Sequence, residues 1–526
     1  MGRRAVNAGG RMAGEDAGRW RGSVAWIAAA LFVLAHVALL WALPFPAGNE
    51  PVYMASLQKS WDARFLAGDW TFSGGFHERA IFNGLFGPLC AIAPIAVVAW
   101  TGRIVFWLLS VRALLRLAAR LAVPPLLAAA ALAAWLLYDQ ALVGEAWAIG
   151  TFESKCVALW LAFEGIVAAL DGRSTRAALL AGAAFTIHPA IGLSAGAALG
   201  AGLLAQRPGG RALVRAAVAL AVAAAPGVVQ LVVAAGTNGD ATARDWEFMA
   251  RLRVPHHLDL ASFRRNGLLL TAAALAFNVV AAWPGARAGD KRERFLLAFQ
   301  ATLAAIFCGG AALRALHRFD LLAAFPFALA PLFALLLFFL LAARTVGAAS
   351  GGTGAPVRRA LPIAALAICL GFDSLLARYR AAASAFAQAW TAPDDDLALA
   401  FEWTARHVPE DATCIFPPWR SDAIFRARRP AVAWWQAARF DGVHEWRRRV
   451  ELLGGDLSQL LDAGRPMNAS EVVDAIRAHY ASLTVEECRA IARDGRAPFL
   501  VTETEYPFPS LFTHGRAHVY KVDAGD

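Results

Sequence analysis

The chain has 526 residues, of which 58% are hydrophobic, and its formal net charge is +10 at pH 7. Its mean hydropathy of +0.48 is too high for a soluble protein of this size and indicates a polytopic membrane protein. The basic residues form short clusters between apolar stretches, so they are explained by membrane topology, and nucleic-acid binding is excluded as their purpose. Most of them are arginine rather than lysine, which together with the high alanine content indicates a bacterial origin.

Apolar stretches of about 20 residues predict eleven membrane-spanning helices. These stretches are 23–44, 94–114, 122–138, 154–171, 176–188, 190–206, 212–235, 266–284, 294–312, 320–343 and 360–377. The tail 1–22 is rich in arginine, and no convincing signal-peptide cleavage site follows the apolar stretch after it. We therefore predict a retained first helix with a cytoplasmic N-terminus. Five arginine-rich loops then fall on the cytoplasmic side, as the positive-inside rule requires, and the odd number of spans places the C-terminal part outside.

The predicted fold is mainly α: a polytopic transmembrane bundle over 23–377, followed by a small domain over 378–526. The bundle carries a long outer loop, 45–79, which we call loop one, and a second outer loop, 236–265. After residue 377 the composition becomes polar, and short strand patterns alternate with helical ones. The predicted strands are 412–416, 498–502 and 517–522, and the predicted helices are 396–407, 442–453, 470–480 and 484–494, the last two with Ser470 and Thr484 as N-caps. This alternation predicts an extracytoplasmic α/β domain.

Unusual polar residues gather on the predicted outer side of the bundle. They are Glu50, Asp69, His77, Glu145, Glu153, Lys155, His188, Arg253, His256, His257, His317 and Arg318. A membrane protein that collects acids, histidines and cations at one face is expected to bind a ligand or perform chemistry there. Glu50 follows the first predicted helix, where a carboxylate could act as a general base or hold a metal, although a helix cap is the simpler interpretation.

Arg253, His256 and His257 lie together in the second outer loop. Arginine can clamp a phosphate with two parallel hydrogen bonds, and histidine can donate to a phosphate or transfer a proton. An ordinary polar loop is the alternative. The three residues therefore become candidates for binding a phosphorylated substrate.

Three further cationic or imidazole side chains are candidates for the same role. Lys155 lies at the outer end of the fourth predicted span, where an interfacial ion pair with Glu153 is the alternative. His188 precedes Pro189 at a broken helix, so it either contacts a ligand or satisfies freed backbone groups. Arg318 lies in a short outer turn, where capping a helix end is the alternative.

The layout resembles the GT-C superfamily of polytopic membrane glycosyltransferases, and the segment from Gly48 to Tyr53 is similar to its acid-bearing first outer loop. Other stretches are similar to a group of uncharacterised bacterial GT-C-like integral membrane proteins. They are Asp69-Trp70, Ile187-His188-Pro189, Arg253-Val254-Pro255-His256-His257, and the region from Phe416 to Trp446. The resemblance implies that Glu50 is the catalytic or acceptor-orienting residue.

Metal and disulfide chemistry are left open by the sequence. Members of the GT-C superfamily often carry paired acids in loop one. Here Asp62 and Asp69 lie well behind Glu50 in the sequence, so we assign no metal ligand. A divalent cation is still compatible with the loop. No Cys/His spacing resembles a zinc site. Cys414 and Cys488 both lie in the C-terminal part, and spacing alone does not establish a disulfide between them.

The resulting hypothesis is an enzyme of the bacterial inner membrane. It would transfer a sugar from a polyprenyl-phosphate carrier to a glycan, lipid or protein acceptor at the outer face. One alternative is a transporter of lipid-linked glycans, which would need polar residues across the membrane, where the sequence offers Glu164 and Asp373. The other is a non-catalytic relative that binds lipid or a partner.

Overall fold

A computed structural model describes residues 7–73, 79–144, 146–235, 240–350, 372–463 and 465–523. Within these ranges the chain is mainly helical, with one small sheet near the C-terminus. The fold is that of a helical membrane protein with a small C-terminal α/β domain, as the sequence predicts.

Sixteen helices make up the described N-terminal part. They are α1 (Asn7–Trp41), α2 (Glu50–Trp61), α3 (Trp70–Ser73), α4 (Ala80–Phe86), α5 (Ile95–Arg120), α6 (Pro125–Leu137), α7 (Ser154–Leu170), α8 (Ser174–Ile187), α9 (Pro189–Ala205), α10 (Gly210–Ala235), α11 (Ala243–Phe248), α12 (Pro255–Leu258), α13 (Arg265–Arg287), α14 (Lys291–Ala315), α15 (Phe319–Leu322) and α16 (Leu329–Ser350). Among the described residues, six stretches are long and apolar enough to cross a membrane by length and composition. They are Ser23–Trp41, Ile95–Arg120, Gly210–Ala234, Arg265–Arg287, Lys291–Ala315 and Leu329–Ala348.

Ten of the eleven predicted spans coincide with helices, and four of the shorter ones are α6, α7, α8 and α9. The eleventh, 360–377, lies mostly outside the described residues. The predicted start of the tenth span at residue 320 is wrong, because Phe325 has a left-handed backbone and Pro326 cannot donate a helical hydrogen bond. The helix α16 therefore begins at Leu329.

The helix α16 lies at the centre of the bundle. Of its apolar window, 83% is buried inside the protein, and it packs against α6, α13 and α14. Its sequence is apolar on all sides, which suits a helix surrounded by other helices. The helix α8 packs against α7, α9 and α10, while α5 contacts α1 and α7.

A further helix, α17 (Phe372–Thr391), leads into the C-terminal domain. The domain contains α18 (Asp396–His407), α19 (Ala423–Arg426), α20 (Val443–Gly454), α21 (Ser458–Asp462), α22 (Ala469–Ala481) and α23 (Val485–Asp494), with strands β1 (Cys414–Ile415), β2 (Phe499–Thr502), β3 (Ser510–His514) and β4 (Ala517–Lys521). The sheet order is β1-β2-β4-β3, in which β1 and β2 are parallel and the other pairs antiparallel. Cys414 and Cys488 are both free thiols.

The C-terminal elements follow the sequence closely, with two corrections. The predicted N-cap Ser470 is wrong, because Asn468 caps α22 in a reciprocal pair with Glu471. The strand β3 is absent from the sequence prediction. It is an edge strand with mostly exposed side chains, so its sequence lacks the buried alternation that identifies a strand.

Candidate functional site

An irregular segment between α6 and α7, residues 138–153 apart from 145, enters the helix bundle and builds the floor of the site. Several of its backbone groups pair with buried side chains, as irregular structure inside a bundle requires. The side-chain oxygen of Gln140 accepts hydrogen bonds from the N–H groups of Ala148 at 2.6 Å and Ile149 at 2.9 Å. Its amide nitrogen donates to the carbonyl of Ile149 at 2.6 Å.

Glu50 forms a closed, fully buried ion pair with Arg103 of α5. Nε of Arg103 donates to Oε1 of Glu50 at 2.6 Å, and Nη2 donates to Oε2. The carboxylate also accepts from the backbone N–H groups of Ala47 at 3.1 Å and Phe152 at 3.3 Å. Glu50 therefore joins α2, α5 and the segment before α7, and neither oxygen faces open space.

Glu153 is a second buried carboxylate, two residues before Lys155. Its Oε1 accepts from Nε1 of Trp147 at 2.8 Å, and its Oε2 accepts from the side-chain amide of Asn49 at 3.2 Å. Nζ of Lys155 lies 3.4 Å from Oε1 of Glu153 and 3.5 Å from the centre of the Trp147 ring. The ammonium group is thus held by a carboxylate and by a cation–π contact.

Lys155 stands among the other predicted cations and imidazoles. Its charge acts on His188, as does that of Arg79, and it acts on His256 together with the charge of Arg253. The segments that carry Arg79, His188 and Arg253 and the start of α7 therefore lie within electrostatic range of Lys155 or of its neighbours. We call Arg79, Lys155, His188, Arg253, His256 and His257 the cationic cluster.

The two neighbouring histidines are neutral at physiological pH. Burial, reinforced by the charges of Arg253 and Lys155, lowers the pKa of His256 from 6.5 to about 4. Burial likewise holds the pKa of His257 well below its ordinary value. Nδ1 of His257 lies 2.6 Å from the carbonyl oxygen of Gly144, so it carries the proton and donates there.

Arg253 ends one turn of π-helix, Met249–Arg253, a local irregularity that is frequent at functional sites. Its Nη2 donates to the backbone carbonyl of Gln436 at 2.5 Å, and its guanidinium lies 5.8 Å from the ring centre of Trp435. Within the described part of the chain, its buried Nε has no hydrogen-bond acceptor. Burial lowers its pKa to about 10, so it remains charged at neutral pH.

A short stretch of the C-terminal domain, 431–439, closes over loop one. Oδ2 of the fully buried Asp69 accepts from the N–H of Ala431 at 2.9 Å and from Nε1 of Trp434 at 3.0 Å. At the other end, Nη1 of Arg439 donates to the carbonyl of Trp70 at 2.9 Å. We call residues 431–439 the covering segment.

The middle of the covering segment touches the site directly. The side-chain amide of Gln436 donates to the carbonyl of Gly48 at 2.9 Å, next to Asn49, which in turn donates to Glu153. The carbonyl of Gln436 accepts from Arg253. The C-terminal domain therefore takes part in building the site.

The remaining predicted residues lie elsewhere or are not described. Arg318 is exposed and pairs with Asp320 at 2.7 Å, so it is not brought into the cationic cluster by any contact that the structure records. His77 and Glu145 lie outside the described residues. In the described ranges, no group of three or more His, Cys, Asp or Glu side chains is arranged to hold a metal ion.

Arg103, Arg79 and Gln436 are site residues that the sequence reasoning missed. Arg103 had a visible signal, since a lone arginine inside a predicted span needs a buried acid as its partner. Gln436 had none, because its role depends on how the C-terminal domain packs against loop one.

Comparisons with known proteins show a distant likeness to a solved structure. No protein-family model matches the chain, and no curated protein matches it significantly. Among solved structures, it is similar to the Archaeoglobus fulgidus oligosaccharyltransferase, crystallised in complex with zinc and sulfate. The two share 14% sequence identity over 91% of this chain and 67% of that one, with a TM-score of 0.43. A likeness of this size leaves the function to be argued from the chain's own residues.

Proposed function

We propose that this protein is a membrane glycosyltransferase, which transfers a sugar from a polyprenyl-phosphate carrier to an acceptor hydroxyl at the outer face of a bacterial inner membrane. The cationic cluster binds the phosphate of the carrier. The membrane location of the bundle suits a lipid-linked donor, whose polyprenyl chain stays in the bilayer while its phosphate enters the protein.

The observation that carries this proposal is the buried Nε–H of Arg253, which has no acceptor within the described part of the chain. A buried N–H without an acceptor costs roughly 1–3 kcal/mol, so such a group is retained where a ligand supplies the acceptor. Lys155 adds a second positive charge, and the neutral imidazoles of His256 and His257 bring polar ring nitrogens to the same place. A phosphate, with several acceptor oxygens and negative charge, is complementary to this set.

We assign Glu153 as the general base that activates the acceptor hydroxyl. In the proposed step, the acceptor oxygen forms a bond with the anomeric carbon of the sugar. The bond between that carbon and the phosphate oxygen breaks, and its electron pair leaves with the polyprenyl phosphate. Glu153 takes the acceptor's proton, while Lys155 and Arg253 stabilise the negative charge that grows on the leaving phosphate.

The role predicted for Glu50 remains a prediction, and its contacts favour a positioning role. The guanidinium of Arg103 binds both oxygens of Glu50, which also accept from backbone N–H groups, so a general base at Glu50 would have to break the buried ion pair first. Glu153 is buried as well, but Lys155 lies against its Oε1, whereas its Oε2 accepts from the neutral amide of Asn49. In our proposal, Glu50 acts through the segment that carries Glu153. Arg318 is left out of the proposed phosphate site, since its guanidinium is bound to Asp320.

Transport of lipid-linked glycans has weaker support. A transporter would use Glu164 as part of a polar path across the membrane. Oε2 of Glu164 lies 2.6 Å from Nη1 of Arg116, at the end of the bundle that carries the arginine-rich loops. This ion pair fixes Glu164 near one surface and offers no polar continuation toward the cationic cluster.

Phosphate recognition is tested by binding of farnesyl phosphate, with farnesol as the uncharged comparison, to the purified protein in nanodiscs. We expect saturable binding of farnesyl phosphate and at least tenfold weaker binding of farnesol. Lys155→Met and Arg253→Gln should each lose about tenfold in affinity, corresponding to one charge-assisted contact of about 1.4 kcal/mol. The matched control is Arg265→Gln, an exposed arginine beside the same outer loop, which should bind like the wild type.

Equal binding of farnesol, or unchanged binding in both Lys155→Met and Arg253→Gln, would overturn the phosphate site. Turnover is tested separately, by release of polyprenyl phosphate from a panel of radiolabelled polyprenyl-phosphate hexoses, supplied together with a bacterial membrane extract as the source of the acceptor hydroxyl. Glu153→Gln should bind the carrier normally and release none of it. Release by Glu153→Gln at the wild-type rate would remove Glu153 from its role, and carrier binding without any release by the wild type would favour a binding protein over a transferase.

A further inference from the structure

A second charged cluster lies at the opposite end of the bundle from the cationic cluster, where α5 and α7 end and α8 begins. Five arginines surround two carboxylates there. The arginines are Arg112, Arg116, Arg120, Arg173 and Arg176, and the carboxylates belong to Glu164 and Asp171. We call this set the inner arginine cluster, because the positive-inside rule places it on the cytoplasmic side.

Two of these arginines are taken up by the carboxylates. Nη1 of Arg116 donates to Oε2 of Glu164 at 2.6 Å. The guanidinium of Arg120 binds both oxygens of Asp171, with Nη2 at 3.3 Å from Oδ2. These contacts anchor α5 to α7, and among the described residues Oε1 of Glu164 has no hydrogen bond.

The other arginines keep free donor capacity. Nη1 of Arg112 lies 3.7 Å from Glu164, and Nη2 of Arg176 lies 3.9 Å from it, beyond hydrogen-bond distance. Their side chains are 64% and 51% exposed, and Arg173 is exposed as well. Five arginines against two carboxylates leave an excess of three formal positive charges at this surface.

A lipid-facing stripe leads directly to the inner arginine cluster. Ile104, Leu108 and Arg112 are four residues apart along α5, so they lie on one face of the helix, and all three are exposed. On α8, the exposed Leu179 lies three residues after Arg176. On both helices, exposed apolar side chains are therefore followed along the helix axis by an exposed guanidinium group. The acyl chains and the charged headgroup of a phospholipid have the same arrangement.

The start of α8 adds a favourable dipole at the same point. The helix has 14 residues, Arg173 occupies its N-cap position, and no side chain caps its first N–H groups. A helix N-terminus attracts negative charge, and here it coincides with the excess arginines. Arg173 and Arg176 thus belong both to the inner arginine cluster and to the start of α8.

We propose that the inner arginine cluster binds the phosphate headgroup of an anionic phospholipid from the cytoplasmic leaflet. Arg112 and Arg176 contact the phosphate, while the acyl chains lie along the stripe that includes Ile104 and Leu108. This site is separate from the proposed transferase site and does not depend on it. Its occupant would stabilise the junction of α5, α7 and α8.

The test is native mass spectrometry of the full-length protein in detergent, titrated with dioleoyl phosphatidylglycerol or dioleoyl phosphatidylcholine. We expect the wild type to bind phosphatidylglycerol about tenfold more tightly than phosphatidylcholine. The double variant Arg112→Gln, Arg176→Gln should lose this preference. Its matched control is Arg207→Gln, Arg211→Gln, which removes two exposed arginines from another predicted cytoplasmic loop.

Three outcomes would overturn the proposal. The first is equal binding of the two lipids by the wild type, a measurement that needs no variant to fold. The second is an equal loss in both double variants, which would show an unspecific charge effect. The third is complete displacement of phosphatidylglycerol by millimolar inorganic phosphate, which would indicate a site for the free anion.

Discussion

The attachment of the covering segment to loop one gives a prediction whose size follows from the structure. Replacing Asp69 by alanine removes the shared acceptor of two buried donors, the N–H of Ala431 and Nε1 of Trp434. Each unsatisfied donor costs about 1.5 kcal/mol, so release of the covering segment should become easier by about 3 kcal/mol. That difference is a factor of about 150 in the opening equilibrium.

Asn at position 69 should restore only part of the attachment. Its amide oxygen can take the place of Oδ2 and accept from Ala431 and Trp434, but its NH2 group then faces the backbone N–H of Phe72, which donates to Oδ1 of Asp69. Burial raises the pKa of Asp69, and the hydrogen bonds offset this by favouring the charged form. A neutral isostere therefore loses the interaction that compensates burial.

Hydrogen–deuterium exchange in nanodiscs measures the effect. In Asp69→Ala, amides of the covering segment should exchange about two orders of magnitude faster than in the wild type, while those of α16 stay unchanged. Asp62→Ala is the matched control, because Asp62 belongs to the same loop and its hydrogen bond to Arg64 is local and exposed. If Asp69→Ala and Asp62→Ala exchange at the same rate in the covering segment, our account of the attachment is refuted.

Two other predictions concern the buried ion pair and the neutral histidines. Glu50→Gln and Arg103→Gln should each lower the free energy of unfolding by about 3–5 kcal/mol, because each leaves one buried charge without its partner. The double variant should lose less than the sum of the two single losses. Equilibrium unfolding of the wild type, the two single variants and the double variant checks this, and additive losses would contradict it. Because the pKa of His256 is lowered to about 4, the unfolded chain binds more protons than the folded one between about pH 6.5 and 4, and stability falls as the pH drops through that range. His256→Gln should therefore lose less thermal stability than the wild type between pH 7.5 and pH 5; an identical loss would show that His256 does not contribute.

Much of the fold could be predicted because apolar length and capping are local properties. The capping pair of Thr484 and Glu487 is present as the sequence indicates, and α18 matches the predicted helix 396–407. The start of α16 and the edge strand β3 were missed for different reasons. Pro326 is a local stop signal that the apolar length of 320–343 conceals, whereas β3 is exposed and lacks the buried alternation that identifies a strand.

The sequence could predict many of the residues of the candidate site, but it could not predict the contacts between them. The predicted membrane topology alone placed Lys155, His188 and Arg253 on the same side of the membrane. It could not show that Arg103 closes off Glu50, because that contact joins residues 53 positions apart through helix packing. Nor could it show that a segment near residue 436 completes the site.

The hydrogen bonds around residues 138–153 also set an order of assembly during synthesis. Several side chains that hold this floor, including Glu50, Trp107 and Gln140, have already been made when residue 153 leaves the ribosome, whereas His257, which binds Gly144, follows about 100 residues later. The contacts of Gln436 with Gly48 and Arg253 become available about 280 residues after residue 153. Much of the floor can thus fold early, whereas the covering segment reaches the site only when the C-terminal domain has been made.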